Sequence, residues 1–238
     1  MQDLNIAVIS DIHGFSLALD RVLEDISRFA IDHIVVAGDI VEGGPDPAGV
    51  IDRLLDIPCT IIQGNTDYDI AKQHRDSKFA AWTERQIGAE AREWLLNLPF
   101  EHRITPPGAD SPWQDLLVVH ANPNDFNRPI EPDADEDDLD LLIGNTRAAV
   151  LAFGHLHIAY QRTWKSMQLI DVSAVGNPKD GDLRSKWGQV TWTGDTQSWA
   201  TTLHYVDYPL DETLAQMLAS GMPKPEKRFE TLKKASYE

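Results

Sequence analysis

Seven side chains that can bind a metal ion follow short apolar segments of the sequence. They are Asp11, His13, Asp39, Asn65, His120, His155 and His157. A carboxylate can bridge two cations, imidazole suits divalent transition metals, and an amide oxygen suits a hard ion. Such a set is typical of a two-metal site, in which ions roughly 3.5–4 Å apart share a bridging water. The sequence therefore predicts a dinuclear metal centre.

The segment 151 LAFGHLHIAY 160 indicates how such ligands reach one point. A strand-like run ending at Phe153 meets Gly154, and His155 and His157 follow with one residue between them. In an extended segment, residues i and i+2 project to the same side. The glycine has no Cβ and so allows the backbone to approach a site closely. We therefore expect both imidazoles to face one centre.

Each of these motifs is common when it is considered alone. Gly-Asp and Gly-Asn pairs such as Gly38-Asp39 and Gly64-Asn65 occur in many turns. A single histidine such as His120 is often a hydrogen-bonded core residue. The interpretation becomes specific because metal-binding side chains recur at five predicted strand ends of one chain.

Hydrophobic periodicity predicts the elements that must position these ligands. Apolar runs predict strands at 4–10, 33–37 and 58–63, and helical spacing predicts helices at 16–30 and 46–56 between them. This alternation favours a parallel sheet covered by helices, with ligands beyond the carboxyl ends of its strands. Further strands are expected at 100–105, 116–120, 148–153, 158–164, 167–172, 188–192 and 199–205, and further helices at 79–98, with a break near Gly88, and at 210–220.

Composition limits the partners that the chain can have. Its 238 residues carry a formal net charge of −17, and such a surface repels polyanions, so neither a stable nucleic-acid complex nor membrane binding is expected. One cysteine, Cys59, and an N-terminus unlike a signal peptide favour a cytoplasmic protein. We expect a single domain over 1–238, with a helical insert at about 68–98 and a charged, solvated C-terminal tail at about 221–238.

The motif set resembles that of the calcineurin-like metallophosphoesterases. The resemblance is carried by Asp11-x-His13, Gly38-Asp39, Gly64-Asn65, the histidine that ends Val118-Val119-His120, and Gly154-His155-x-His157. The segment 173 SAVGNPKDGD 182 and the helical insert make the chain most similar to the small bacterial and archaeal phosphodiesterase branch. The resemblance covers roughly residues 4 to 195 and implies an α/β fold, a four-layer α/β/β/α sandwich with a dinuclear site at the strand ends.

The resemblance also implies how the ligands are divided between two divalent metal ions. The first metal would be held by Asp11, His13, Asp39 and His157. Asp39 would bridge to the second metal, which is completed by Asn65, His120 and His155. Mn²⁺ is the first candidate for both positions, and Fe²⁺, Zn²⁺, Ni²⁺ and Co²⁺ are the alternatives, because the ligand set has no thiolate.

The chain departs from many relatives at Thr66, where they have a histidine that can protonate the leaving group. Threonine donates a hydrogen bond but is no general acid near neutral pH. We therefore expect a metal-bridging hydroxide to attack phosphorus, with Asp39, Asn65 and Thr66 as catalytic residues, and leaving groups that need little protonation to be favoured. His74 is an outlying candidate for the proton donor.

The expected activity is metal-dependent phosphoester hydrolysis, as a phosphodiesterase or nucleotide pyrophosphohydrolase. The substrate would be a small phosphorylated molecule such as a nucleotide, contacted by Lys179 and Arg184 in the 173–187 segment. Two alternatives stay open: a protein serine/threonine phosphatase, which activity on phosphopeptides would reveal, and a non-catalytic metal-binding scaffold of the same fold. The sequence does not separate a dinucleoside polyphosphate hydrolase from a general phosphodiesterase, and it does not indicate the oligomeric state.

Overall fold

The computed structural model describes residues 2–237, in which ten strands and seven α-helices are found. The strands are β1 (Leu4–Ile9), β2 (His33–Val36), β3 (Cys59–Ile61), β4 (Glu101–Ile104), β5 (Leu116–Val119), β6 (Val150–Phe153), β7 (Tyr160–Trp164), β8 (Met167–Asp171), β9 (Ser185–Thr193) and β10 (Ser198–Val206). The helices are α1 (Ser16–Ile26), α2 (Pro47–Leu55), α3 (Asn65–Lys72), α4 (Lys78–Leu96), α5 (Glu136–Leu142), α6 (Leu210–Ala219) and α7 (Pro225–Lys234), with a 3₁₀ turn at Pro112–Gln114.

The strands form two five-stranded sheets of mixed direction. The first sheet has the order β10–β9–β1–β2–β3, and the second has the order β4–β5–β6–β8–β7. Strands β1, β2 and β3 run parallel, as do β5, β6 and β8, whereas β9, β10, β4 and β7 join their neighbours in antiparallel fashion. All the parallel strands except β8 lead into predicted ligands, and their carboxyl ends carry the site described below.

Alternation along β1 separates two apolar layers. Ile6 and Val8 face inward, where they pack with residues of the second sheet such as Val118. Ala7 and Ile9 face the opposite side, where they pack in the cluster that contains the buried residues of α1 and α2. On the far side of the second sheet, its outward-facing residues pack against α5 and the loop before it. The chain is therefore a four-layer α/β/β/α sandwich, as the resemblance implied.

Several boundaries differ from those that periodicity predicts. The first helix ends at Ile26 rather than Ala30, because the chain turns there toward β2, and Phe29 packs edge-on against Trp187 instead of continuing the helix. Helix α3, which periodicity did not predict, begins at Asn65 itself. Helix α4 is interrupted at Gly88, where the sequence predicted a break.

The C-terminal segment is packed against the protein, whereas the sequence suggested a solvated terminus. Helix α7 buries Phe229 and Leu232. Phe229 joins an apolar cluster with Phe79 and Met217, and Leu232 joins the cluster that covers the first sheet. An apolar stripe of residues three apart was therefore hidden among the charges of this segment. In residues 2–237, no helix is both long and apolar enough to cross a membrane.

Truncation of a side chain in the helix-covered layer should destabilise the protein strongly. Leu19 of α1 is fully buried, and Leu19→Ala is expected to lower the free energy of unfolding by about 2–5 kcal/mol, because a cavity adds to the lost transfer energy. Leu55→Ala is the matched control, since the Leu55 side chain is 61% exposed. Urea unfolding followed by circular dichroism measures both variants. Equal midpoints for the two variants would contradict the assigned packing of α1.

Candidate functional site

All seven predicted ligands lie at one edge of the two sheets. Asp11 and His13 follow β1, Asp39 follows β2, and Asn65 is the first residue of α3, shortly after β3. The other three follow the central strands of the second sheet: His120 after β5, and His155 and His157 after β6. Because the carboxyl ends of these parallel strands meet at this edge, the side chains form two adjoining clusters.

The first cluster contains Asp11, His13, Asp39 and His157. Nε2 of His157 lies 3.0 Å from Oδ1 of Asp11 and 3.1 Å from Nε2 of His13. Nε2 of His13 lies 3.5 Å from Oδ1 of Asp11 and 3.6 Å from Oδ2 of Asp39. The ligand atoms of Asp11, His13 and His157 all lie within 4.8 Å of one another, which is close enough for one ion to contact them together.

The second cluster contains Asp39, Asn65, His120 and His155. Oδ1 of Asn65 lies 2.9 Å from Nε2 of His120 and 3.1 Å from Nδ1 of His155. The two imidazole nitrogens are 3.2 Å apart, and Oδ1 of Asp39 lies 3.5 Å from Nε2 of His120. Asp39 thus directs one oxygen to each cluster, which is the geometry of a bridging carboxylate.

Backbone carbonyls fix the tautomers of the four histidines. Nδ1 of His13 donates to the carbonyl of Glu42 at 2.6 Å, and Nδ1 of His157 donates to that of Asn177 at 2.5 Å. In the second cluster the donors are Nδ1 of His120 (to Ala37, 2.8 Å) and Nε2 of His155 (to Asn127, 2.8 Å). When the imidazole is neutral, its other nitrogen carries a lone pair, and in each case this nitrogen faces the cluster.

Lone pairs therefore meet lone pairs in both clusters. Oδ1 of Asp11 is buried and has no hydrogen-bond donor among the described residues, although two imidazole nitrogens lie beside it. Its other oxygen is already occupied, because it accepts the backbone amide of His155 at 2.9 Å. Buried acceptors without donors are costly unless a cation lies between them. The residues present thus fit two divalent metal ions.

The backbone is strained at most of these positions. Five of the seven predicted ligands have positive φ angles between 52° and 74°: Asp11, His13, Asp39, His155 and His157. A non-glycine residue in this region costs roughly 1–2 kcal/mol. Such strain persists only where the surrounding structure fixes it, and it clusters at functional sites. The strand ends therefore hold these side chains in one orientation at the expense of local backbone energy.

Gly154 allows Asp11 to reach the first cluster. A Cβ at residue 154 would overlap Oδ2 of Asp11 and Oγ of Ser10. Gly64 has the same relation to Asp39, since a Cβ there would overlap its carboxylate and its backbone amide. Both glycines are thus required by the close approach of a carboxylate.

The electrostatics of the site favour cations. Burial would lower the pKa of His13, but the contact with Asp11 and the charge of Asp39 outweigh burial and raise the pKa to about 9. Burial would raise the pKa of Asp11, but the charge of His157 and the contact with His13 hold it well below its usual range. A metal ion and a proton therefore compete for the same imidazole nitrogens.

The candidate substrate contacts differ in their positions. Thr66 and Lys179 line a cavity of about 460 Å³ that opens onto both clusters. The hydroxyl of Thr66 is buried and has no hydrogen-bond partner in residues 2–237, so it can donate to a ligand. Arg184 does not line this cavity: its guanidinium donates to the carboxylate of Asp182 and stacks on Tyr205, 4.7 Å from the ring centre. Its assignment to phosphate is thus unsupported by its position.

The sequence interpretation missed two arginines of this cavity. Arg75 lies at its mouth, where its guanidinium contacts Glu42 at 2.8 Å and donates to Asp69 at 2.9 Å. Arg228 comes from α7 and packs 3.4 Å above the ring centre of Phe79. Periodicity offered no signal for Arg75. For Arg228, the sequence did offer a signal: apolar residues spaced for a buried helix face stand among the basic residues of the C-terminal segment, which indicates a helix packed on the protein.

Comparison with known proteins gives a consistent picture. The model of the calcineurin-like phosphoesterase family matches residues 4–168. An uncharacterized protein of Methanocaldococcus jannaschii is 26% identical over 243 residues, which cover 92% of this chain and 94% of that protein. A metallophosphoesterase from Sphaerobacter thermophilus superposes with a TM-score of 0.75 at 24% identity, covering 98% of this chain and 99% of the other. A hypothetical protein from Pyrococcus horikoshii OT3 superposes with a TM-score of 0.80 at 18% identity, covering 96% and 97%. At these identities the two structures support the fold alone.

The close approach at Gly154 predicts a loss of metal binding in Gly154→Ala. The added methyl group must displace the Asp11 carboxylate, so we expect metal content after dialysis to fall by at least half. Gly88→Ala is the steric control, because a Cβ there meets nothing within 4 Å; its positive φ of 76°, which Gly154 lacks, adds backbone strain away from the clusters. Elemental analysis by mass spectrometry measures both variants. Full metal content in folded Gly154→Ala protein would contradict the assignment of Asp11 as a ligand.

Proposed function

The chain belongs to the calcineurin-like phosphoesterase family and is a metal-dependent hydrolase of phosphoric esters; from this premise we propose that it is a phosphodiesterase or nucleotide pyrophosphohydrolase. The proposal includes the assignment of the seven residues of the two clusters as metal ligands. The natural substrate would be a small phosphorylated molecule, and nucleotides are the leading class.

The observation that carries this proposal is the pair of acceptor clusters joined by Asp39. Each cluster fits one cation, and both open onto the same cavity of about 460 Å³. This volume lies within the range of small-molecule sites. Two divalent ions held there would polarise the phosphoryl group and lower the pKa of a water nucleophile. The native metal is left open by the ligand set, with Mn²⁺ as our first candidate.

Residues of the cavity wall would orient the phosphoester. Lys179 is half-buried, and Arg75 and Arg228 lie on the same wall, so three positive groups surround the entrance to the clusters. The free hydroxyl of Thr66 is placed to donate a hydrogen bond to a phosphoryl oxygen, which would hold the ester without protonating it. These groups stabilise negative charge on the ester oxygens, an electrostatic contribution that is often the largest in such reactions.

The proton donor for the leaving group decides which esters react fast. Thr66 cannot supply a proton near neutral pH, and His74 is exposed, where it contacts Asp69 and packs edge-on against Tyr68. His74 is not among the residues that line the cavity. Esters whose leaving groups are stable anions, such as an aryl oxide or a nucleotide phosphate, are therefore the substrates that this site favours.

Hydrolysis of bis-p-nitrophenyl phosphate tests the proposed function directly. We expect metal-stripped protein to be inactive and added Mn²⁺ to restore turnover. Asp39→Asn should lower kcat/KM at least about 100-fold, because removal of one electrostatic stabiliser typically costs 10²–10³. Asp140→Asn, which removes an exposed carboxylate from the far side of the second sheet, should retain wild-type activity. Metal-independent turnover, or full activity of Asp39→Asn, would rule the proposed mechanism out.

A comparison of leaving groups tests the role of Thr66. An alkyl phosphodiester should react at least about 100-fold more slowly than bis-p-nitrophenyl phosphate, since general acid catalysis contributes roughly 10²–10⁴. Thr66→His should narrow this ratio by restoring a proton donor, whereas Thr66→Ser should leave it unchanged. Steady-state kcat/KM values for both esters provide the measurement. Equal rates for the two esters in the wild-type protein would show that a proton donor is already present.

A further inference from the structure

A second cavity lies next to the metal clusters, between α7, the start of α4 and the segment that carries Lys179. It has a volume of about 510 Å³, and we call it the α7 pocket. Its positive groups are Lys78, Lys179, Lys224, Lys227 and Arg228. None of the described residues that line it is an aspartate or a glutamate. Five cations thus converge on one cavity in a chain whose formal net charge is −17.

The lysines of the α7 pocket lack acidic partners. In the part of the chain that the structure describes, no hydrogen bond or ion pair engages the ammonium groups of Lys78, Lys179, Lys224 or Lys227. Three lysines elsewhere form ion pairs: Lys165 with Asp140, Lys186 with Asp180 and Lys233 with Glu230. Partial burial lowers the pKa of Lys179, which is the effect expected for an ammonium group without a counter-ion. The protein therefore leaves positive charge without acidic partners in a pocket that lies next to its metal clusters.

The α7 pocket adjoins the cavity of the metal clusters. Gly43, Asn177, Lys179 and Arg228 line both cavities. Backbone hydrogen bonds fix this junction: the carbonyl of Asn177 accepts from the imidazole of His157, and the amide of Lys179 donates to the carbonyl of His157 at 2.9 Å. A ligand that spans the two cavities would pass Lys179 and Arg228, which line both.

The chemistry of the pocket favours an anionic occupant over an aromatic base. The accessible face of Phe79 is covered by the guanidinium of Arg228, and Phe15 is only 4% exposed. Neither ring therefore offers a free surface for stacking. Lysine ammonium groups bind phosphate as point charges. The guanidinium of Arg228 donates one long hydrogen bond, of 3.4 Å, to the carbonyl of Gly43, and its other N–H groups can donate to a phosphate. An extended polyanion is disfavoured by the overall charge, which leaves a small molecule.

We propose that the α7 pocket binds a second phosphoryl group of the substrate, separate from the phosphoryl group at the metal clusters. The substrate is then a small molecule with at least two phosphate groups that spans both cavities. This inference rests on the proposed phosphoesterase function and defines its substrate class more narrowly. Lys224 and Lys227 are the residues that act only on the second group, because they line the α7 pocket and not the cavity of the clusters.

Binding of inorganic tripolyphosphate and of orthophosphate tests this proposal. The pocket variant is the double substitution Lys224→Ala, Lys227→Ala, in which both residues are exposed. The control is Lys165→Ala, Lys233→Ala, which also removes two exposed positive charges, from side chains that pair with Asp140 and Glu230. Calorimetric titration of metal-free protein should give a tripolyphosphate affinity at least tenfold weaker in the pocket variant and unchanged in the control. Equal affinities in the wild type and the pocket variant, or equal losses in both variants, would overturn the proposal.

Inhibition of bis-p-nitrophenyl phosphate hydrolysis provides the second readout. In wild-type protein with excess Mn²⁺, tripolyphosphate should inhibit more strongly than orthophosphate. The ratio of the two inhibition constants measures this preference, and it should fall at least tenfold in the pocket variant. Chelation of Mn²⁺ affects all proteins alike and cancels in the comparison. An undiminished preference in the pocket variant would contradict the second phosphate site alone. Absence of diester hydrolysis in the wild type would instead contradict the proposed function, while the calorimetric comparison still decides the occupant of the pocket.

Discussion

The rest of this structure depends on keeping buried lone pairs together although they repel one another. Carboxylate oxygens, imidazole nitrogens and an amide oxygen converge in two clusters, and Oδ1 of Asp11 has no hydrogen-bond partner among the described residues. In the absence of a cation, each such contact costs free energy, because a buried acceptor has given up its hydrogen bonds to water. The fold must therefore supply the energy that holds the clusters in place before any metal binds.

That energy comes from the apolar layers behind the clusters. Strands β1, β2, β5 and β6 are buried on both faces at their carboxyl ends, so the loops that follow them start from fixed points. Asp67 ties two of these loops together, because its carboxylate accepts the amides of Ile40 and Gly64. Burial, together with the charge of Asp39, raises the pKa of Asp67 to about 7. Left-handed backbone at five of the predicted ligands is sustained by the same rigid surroundings.

Much of this arrangement could be predicted from the sequence, because it depends on short local patterns. Short apolar runs that end at a candidate ligand, three of them through a glycine, are visible without a structure, and the parallel order of their strands brings the ends together. Arg184 and Arg228 show where such reasoning fails. Both are basic residues near candidate loops, but the carboxylate of Asp182 holds Arg184 away from the site, whereas the packing of Phe229 and Leu232 carries Arg228 into it. The first outcome is decided by a local side-chain pair and by stacking on Tyr205, and the second by packing between residues distant in sequence. Periodicity encodes neither kind of contact.

Two parts of the chain carry opposite charge, so one attracts cations and the other attracts anions. The strand ends contribute acceptors and so attract cations, whereas α7 and the segment around Lys179 contribute cations and so attract anions. The remaining surface is strongly acidic and repels extended polyanions. A small phosphorylated molecule satisfies all three conditions, because it can meet bound metals at one end and lysines at the other without approaching the acidic surface. Because α7 packs on the protein through Phe229 and Leu232, this packing also places the basic residues of the anion site beside the metal clusters.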